Sequence, residues 1–276
     1  MALSLRLLAM GPGWQVKDVI CDHGPGDRAF EERHETACLA FVCAGTFSYR
    51  SHQGAALLVP GSVLLGNAAD CFECGHEHSR GDRCLSFHLS PEFMEEIAAR
   101  IPGVRTSFFD LPRLPPLQSL MPVLAAAEIA RDACARGQLE EIAVHLAAEA
   151  LKVQSTSNRS RTPSSRDLRR VCAIVDWIET HEQDSPTLSQ LARVVSMSRY
   201  HFLRTFRAVT GTTPYQYLLA RRLRLVSTDL RRAPSPISQV AYNAGYRDLS
   251  TFNRRFRRVA KTTPRQYRQS IHALCR

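Results

Sequence analysis

The sequence predicts an α+β protein: a small N-terminal β-barrel with a helical pair, followed by an all-α domain containing two helix-turn-helix motifs. Three observations predict it. Short apolar runs broken by Gly, Asp, Asn and Pro fill 15–89, apolar residues at helical spacing fill 117–154, and one pattern is written twice between Leu188 and Tyr267. The expected division is 1–154 for the barrel domain, 155–165 for a linker and 166–276 for the helical domain.

Residues 1–14 carry no clear signal. Leu39–Val42, Thr46–Arg50, Ala56–Val59, Ser62–Leu65 and Cys84–Leu89 read as strands, rich in β-branched and aromatic residues. Gly45, Gly54, Pro60-Gly61, Asn67 and Gly81-Asp82 punctuate them. Many short strands at this spacing point to a small barrel. Ser90-Pro91-Glu92 starts a helix to about Ile101, with Ser90 as N-cap and Pro91 in the first turn. A connector with Pro112, Pro115 and Pro116 follows, then two helices over Leu117–Ala135 and Leu139–Gln154, separated at Gly137. A short connection makes such a pair antiparallel. Ser155 to Ser165 has no apolar anchor and reads as a flexible tether. Val171, Ile174, Val175 and Ile178 mark the first helix of the last domain.

The repeat defines that domain. A shift of 50 residues places Phe202, Arg204, Phe206, Arg207, Val209, Thr212, Thr213, Pro214 and Tyr217 on identical residues. Ala192 and Ala241 are 49 apart, so the second copy holds one extra residue in its turn. Each copy reads as a short helix, a turn and a second helix. A small Ala lets the two helices cross closely, and four residues later an αL-tolerant residue lets the chain turn. Ala241 and Gly245 fit this rule; Ala192 fits, but Ser196 stands where Gly is expected. Ser198 supplies an N-cap. Phe202 and Phe206 anchor the second helix, leaving Arg199, Tyr200, Leu203, Arg204 and Arg207 for its outer face. Between the copies, Pro214 to about Leu230 reads as one helix of about 25 Å. It would hold the two second helices apart at a fixed distance.

Composition supports a polyanion partner for one half only. The 276-residue chain carries +10, yet 166–276 alone holds 21 basic and 7 acidic side chains, whereas 1–165 holds 15 and 19. No run of about 18 apolar residues exists, so no membrane span is expected. The first residues lack a secretory pattern, and nine cysteines form no disulfide framework. A reduced, cytoplasmic protein is the expectation.

The duplicated pattern resembles the DNA-binding domain of the AraC/XylS family of bacterial transcription regulators. The resemblance runs from Asp167 to Arg268. It is most specific at Ile237–Ala241, Gly245-Tyr246, Ser250-Thr251-Phe252, Arg255-Phe256, Thr263-Pro264 and Tyr267. Ala260-Lys261 departs from the Phe-Gly pair usual near the end of family members and, with Ser196, implies locally altered turns. The resemblance implies double-stranded promoter DNA and RNA polymerase as partners. It assigns base contacts to Tyr200, Leu203 and Arg204 in the first copy and to Ser250, Thr251 and Arg254 in the second. Arg can bond guanine bidentately, and Leu203 and the Thr251 methyl can pack on thymine methyls. Arg199, Arg207, Asn253, Arg255 and Arg257 are the expected phosphate clamps, which orient without reading sequence. Gly54 with Pro60-Gly61 resembles the second half-motif of the cupin barrels that many such regulators carry as a sensor. The helical pair would then make a homodimer contact, or pack only on its own barrel.

A cysteine–histidine cluster stands out between Asp70 and His88. Cys71 and Cys74 form a CxxC pair, followed by His76, His78, Cys84 and His88. CxxC with nearby His is a zinc-type ligand set. A hairpin turning over Arg80-Gly81-Asp82 would oppose His78 to Cys84 and Cys74 to His88. Alternation would then gather Cys74, His76, His78, Cys84 and His88 on one face, with Leu85, Phe87 and Leu89 on the other. The candidate metal ligands are Cys71, Cys74, His76, His78 and Cys84, with zinc or another soft metal as the candidate cofactor. Cys71 also stands about where the cupin resemblance puts a ligand-facing histidine. Redox-sensing thiols and ordinary residues around a small-molecule pocket are the alternatives.

The expected function is a sequence-specific transcription regulator controlled by a ligand, metal or redox signal at the barrel. The competing reading is a cupin-type metal or thiol enzyme fused to a DNA-binding domain. Against it, His34-Glu35 has no HxH nearby, and His76-Glu77-His78 falls on the wrong side of Pro60-Gly61. A constitutive DNA-binding protein with a structural N-domain is the third.

Overall fold

The computed structural model describes residues 3–77, 80–133, 136–154, 163–181, 186–232 and 234–274. Among the described residues, ten strands open the chain: β1 (Leu3–Gly11), β2 (Trp14–Cys21), β3 (Phe30–Arg33), β4 (Ala37–Gly45), β5 (Phe47–Ser51), β6 (Gly54–Leu58), β7 (Val63–Gly66), β8 (Cys71–Gly75), β9 (Asp82–Leu89) and, after a helix, β10 (Arg113–Leu114). They form two antiparallel sheets, ordered β1-β2-β9-β4-β7-β10 and β3-β8-β5-β6. Each expected strand falls within or overlaps one of these. β1, β2, β3 and β10 are not among the expected strands, although in β1 Leu3, Leu5 and Leu7 alternate with Ser4 and Arg6 in the two-residue period of a strand.

Strand alternation divides the sheet residues between two cores. Cys38, Ala40, Val42 and Cys84 face the barrel interior with Phe47, Tyr49, Leu58 and Cys74. Leu39, Phe41, Leu85, Phe87 and Leu89 face outward under the helices. The expected outer placement of Leu85, Phe87 and Leu89 therefore holds. The Pro60-Gly61 turn also forms as the motif requires. Gly61 takes φ +89° and its N–H donates to Val42 O at 2.9 Å, tying the β6–β7 turn to β4.

The helices over that outer face are α1 (Pro91–Ala99), a 3-10 turn at Gln118–Leu120, α2 (Met121–Ala133) and α3 (Arg136–Gln154). Ser90 caps α1, accepting from Phe93 N. The expected break at Gly137 is corrected: Gly137 lies in the first turn of α3, where an exposed glycine costs little because the first N–H groups have no intrahelical partner. Leu139, Ile142, Leu146 and Ala150 are buried in the chain's own core. That stripe is thus consumed within the chain and is not left for a partner.

The C-terminal helices are α4 (Ser165–Thr180), α5 (Leu188–Val194), α6 (Arg199–Thr210), α7 (Pro214–Arg232), α8 (Ile237–Asn243), α9 (Leu249–Ala260) and α10 (Pro264–Leu274). The tether expected at 155–165 lies mostly outside the described residues. The two halves nevertheless pack together. Leu57 and Val59 of the barrel share a core with α4, α5 and α6. Arg113 donates to Leu57 O at 2.6 Å and to Val209 O at 2.7 Å, bridging β6 and α6. Asp132 of α2 pairs with Arg232 of α7, and Tyr267 Oη donates to Pro122 O at 3.3 Å. Within the described residues no helix is long and apolar enough to cross a membrane.

Candidate nucleic-acid interface and sensor site

The two helix-turn-helix copies are built by the same local chemistry. Ser196 adopts φ +51° and Gly245 φ +81°, so the serine takes the left-handed turn conformation that glycine takes in the second copy. Met197 N donates to Ala192 O at 2.9 Å, and Tyr246 N to Ala241 O at 3.0 Å. The residue added in the second turn is Arg247, between Tyr246 and the N-cap Asp248. Ser198 caps α6 by accepting from His201 N, and Asp248 caps α9 by accepting from Ser250 N and Thr251 N. Hydrogen bonds from the Thr251 side chain, then from the Thr251 and Ser250 backbone, hold the Asp248 carboxyl below its ordinary value.

Burial then selects the outer face of each second helix. Phe202, Phe206, Phe252 and Phe256 are fully buried. Arg199, Tyr200, Arg204 and Arg207 are exposed, with Leu203 half-buried. In α9, Ser250, Asn253, Arg254 and Arg257 are exposed, with Thr251 and Arg255 half-buried. Ser250, Asn253, Arg254 and Arg257 line one shallow concavity together with Arg258, which the sequence reading omitted. Its place one residue after Arg257 on the polar face was the available signal. Arg255 differs from the other arginines: its Nη2 donates to Tyr215 Oη at 2.7 Å, and its guanidinium lies 5.8 Å from that ring. The residue is therefore also braced against α7.

The basic excess of 166–276 overstates the charge offered to a polyanion. Arg221, Arg222 and Arg224 of α7 are buried. Glu179 of α4 accepts from Tyr217 Oη at 2.8 Å and Arg224 Nη2 at 2.9 Å, and its carboxylate lies 3.4 Å from Arg221 Nε. A buried guanidinium without such a partner would be strongly unfavourable. These arginines organise the core around α7.

In the barrel the cysteine–histidine expectation needs correction. β8 pairs with β3 and β5, whereas β9 pairs with β2 and β4. The hairpin opposing His78 to Cys84 and Cys74 to His88 does not form, because the two strands belong to different sheets. Gly81 does turn the chain, at φ +68°, but it does so over the end of β2. A Cβ there would come within 2.7 Å of Cys21 O, and Gly81 N donates to His23 O at 2.7 Å. Cys71 is exposed at the start of β8, opposite Arg33. His78 lies outside the described residues. Among the described candidate ligands, His76 alone falls in a metal-type group, with Cys21 and His23, whose ligand atoms lie within 4.8 Å of one another.

The surroundings of that group are polar and closed. His76 Nε2 lies 2.6 Å from Asp82 Oδ1, and Cys84 Sγ donates to Asp82 Oδ2 at 3.1 Å. Burial, reinforced by Asp82, pushes the Cys74 and Cys84 thiols well above their ordinary value. A redox-sensing thiolate requires the opposite direction. Elsewhere in the barrel, His34 stacks on Phe72 at 4.1 Å and bonds Tyr49 Oη at 3.0 Å. Ser86 Oγ lies 2.8 Å from His88 Nε2. Burial lowers His34 and His88 to about 4, so both are neutral near pH 7.

A sensor-type barrel packed on paired helix-turn-helices whose arginines face outward defines a DNA-binding regulator. The chain matches an AraC-like ligand binding domain over residues 18–147 and a helix-turn-helix domain over 191–270. It is 34% identical over 98 residues to the regulatory protein SoxS of Salmonella typhimurium strain LT2, a match spanning 36% of this chain and 92% of that protein. The chain belongs to the AraC family of DNA-binding transcription regulators with an N-terminal ligand-binding domain. The uncharacterized HTH-type transcriptional regulator YbfI of Bacillus subtilis strain 168 is 26% identical over 226 residues, covering 79% of this chain and 78% of that one. The crystal structure of the AdpA DNA-binding domain in complex with a target DNA is 28% identical, covers 38% of this chain and 94% of that one, and gives a TM-score of 0.36. The sequence matches alone carry the family assignment.

Proposed function

We propose that this regulator reads promoter DNA with both second helices of its repeat and is switched by a signal received in the barrel. The observation that carries the reading is the exposure of Arg204 and Arg254 at equivalent positions of the two copies, above buried phenylalanine anchors. Tyr200, Leu203, Arg204, Ser250, Thr251 and Arg254 are the proposed base contacts. Arg199, Arg207, Asn253, Arg255 and Arg257 are the proposed phosphate contacts, to which Arg258 is added. The division at 1–154, 155–165 and 166–276, action in the cytoplasm, RNA polymerase as a partner and a second copy of the chain belong to the same proposal. The barrel acts as a sensor and not as an enzyme: a relative that matches 79% of the chain is a transcriptional regulator, and His34 is committed to Tyr49 and Phe72. A signal can act only by favouring one of two arrangements. The shared cores and the Arg113 bridge between β6 and α6 are the contacts such a signal would change.

Binding to a footprinted promoter site, measured across single-base variants and salt concentrations, tests the division of labour. Arg254→Ala lowers affinity and relaxes preference at one base position by about 1–3 kcal/mol. Arg257→Ala weakens all sites alike and flattens the salt slope by about one unit. Equal losses at every site for both variants would overturn the separation into base and phosphate contacts.

A further inference from the structure

We infer that Cys21, His23 and His76 form a binding site for one soft divalent metal ion of the zinc class. The three residues come from two separate segments of the barrel. Cys21 ends β2, His23 lies just after it, and His76 follows β8. Their ligand atoms already lie within 4.8 Å of one another. Ligands at about 2.0–2.3 Å from a tetrahedral zinc ion stand roughly 3.3–3.8 Å apart, so closing on an ion takes shifts of well under about 1 Å each. Cys21 and His76 are buried and His23 is half-buried.

His76 supplies the independent sign of a ligand. Its side chain is 1% exposed, and its Nδ1 is buried without a hydrogen-bond partner. A buried polar atom without a partner carries a substantial desolvation cost. The other ring nitrogen, Nε2, faces Asp82 Oδ1 at 2.6 Å. A carboxylate oxygen accepts, so Nε2 is placed to donate to Asp82, and in that tautomer Nδ1 is the nitrogen left to bind an ion. Carboxylate, imidazole and open lone pair in a row is how proteins orient and strengthen a metal-binding histidine. Asp82 is thus a positioning residue. It is itself held by Cys21 on one side and Gly45 on the other in the six-stranded sheet.

Three protein ligands leave a fourth position for water or an exogenous donor, the arrangement of an exchangeable and not a closed structural site. The site is also wired to the DNA-binding half. Gly45, paired with Asp82, precedes Thr46, whose Oγ1 donates to Cys172 Sγ of α4 at 3.8 Å. Whether the ion is the regulatory signal rests on the proposed function; its binding does not.

The test uses the full chain purified without a polyhistidine tag. Zinc content and cobalt(II) titration are read together, since cobalt bound by one thiolate and two imidazoles gives tetrahedral d–d bands with a single-thiolate charge-transfer band. One equivalent of metal is expected. Cys21→Ser removes the charge-transfer band, and His76→Gln and His23→Gln each weaken zinc at least tenfold. Asp82→Asn weakens it about 10–100-fold while the thiolate band persists, a split that a merely structural role would not give. Cys71→Ser changes nothing. Should Cys21→Ser fail to fold, the half-buried His23→Gln carries the same test. Absence of stoichiometric metal in the wild type, or wild-type affinity in His23→Gln and His76→Gln, overturns the site. DNA affinity of the metal-free chain is measured in parallel. No DNA binding with or without metal would overturn the regulator reading and leave the site standing, and DNA binding by a wild-type chain that takes up no metal would do the reverse.

Discussion

The two helix-turn-helix copies carry the same motif and divide its difficult positions in opposite ways. At the turn, the first copy has Ser196 and the second Gly245, and both residues are left-handed. At the end of the second helix the order reverses: Gly211 closes α6 at φ +82°, and Lys261 closes α9 at φ +56°. Each copy therefore holds one glycine and one side-chain-bearing residue in a conformation that disfavours a Cβ. The neighbours explain one half of the exchange. A Cβ at Gly211 would stand 2.8 Å from Pro115 Cβ, because the first copy is docked on the connector after α1. The lesson is that the backbone geometry of a repeat is more constant than the residues used to reach it.

Four measurements would break or sharpen that comparison. The largest effects belong to the anchors, which the two copies share: Phe206→Ala and Phe256→Ala should each cost about 3–5 kcal/mol in denaturant unfolding. A much smaller loss in one copy would show that its core is not equally packed. Next, Gly211→Ala should cost about 1–3 kcal/mol through overpacking against Pro115 and the left-handed backbone, whereas Lys261→Ala leaves melting nearly unchanged. Smaller still are the gains from supplying the missing glycines. Ser196→Gly and Lys261→Gly should each stabilise by about 0.5–1 kcal/mol, the relief of left-handed strain less the extra entropy of glycine; destabilisation by either would refute the strain argument.

The smallest effect is one of pH and separates the caps. Asp248 has its folded value depressed below 3.8 by the N–H and hydroxyl groups it caps. Its contribution is therefore full above the ordinary carboxylate value and is lost as pH falls through the lower folded value. Ser198, which caps the first copy, does not titrate. Melting curves at falling pH should show an acid loss in the wild type that Asp248→Asn lacks, and identical acid profiles for the two proteins would remove Asp248 from the account.

Much of this was legible in the sequence because it is local. Alternation in 84–89, the Gly54 and Pro60-Gly61 spacing, the caps Ser90 and Ser198, and the repeat from Ala192 to Tyr267 depend on residues a few positions apart. Periodicity and turn chemistry report such relations directly. The outer faces of α6 and α9 follow from the same rule, since fixing Phe202 and Phe252 inward fixes Arg204 and Arg254 outward. Charge counting was a poorer guide: it could not tell Arg254, exposed, from Arg224, held inside by Glu179.

Only the tertiary structure decided which strands are neighbours, and with that the fate of the cysteines and histidines. The Gly81 turn between Cys74 and Cys84 points to a hairpin, yet β8 and β9 belong to different sheets. His76 met Cys21 and His23, more than fifty residues earlier, through the pairing of β2 with β9. Sequence patterning fixes which face of a strand is buried, because that depends on the strand's own two-residue period. The choice of partner strand depends on how all the apolar faces close together. The same closure joined the barrel to the DNA-binding helices through Leu57, Val59 and Arg113, a contact no local pattern encodes.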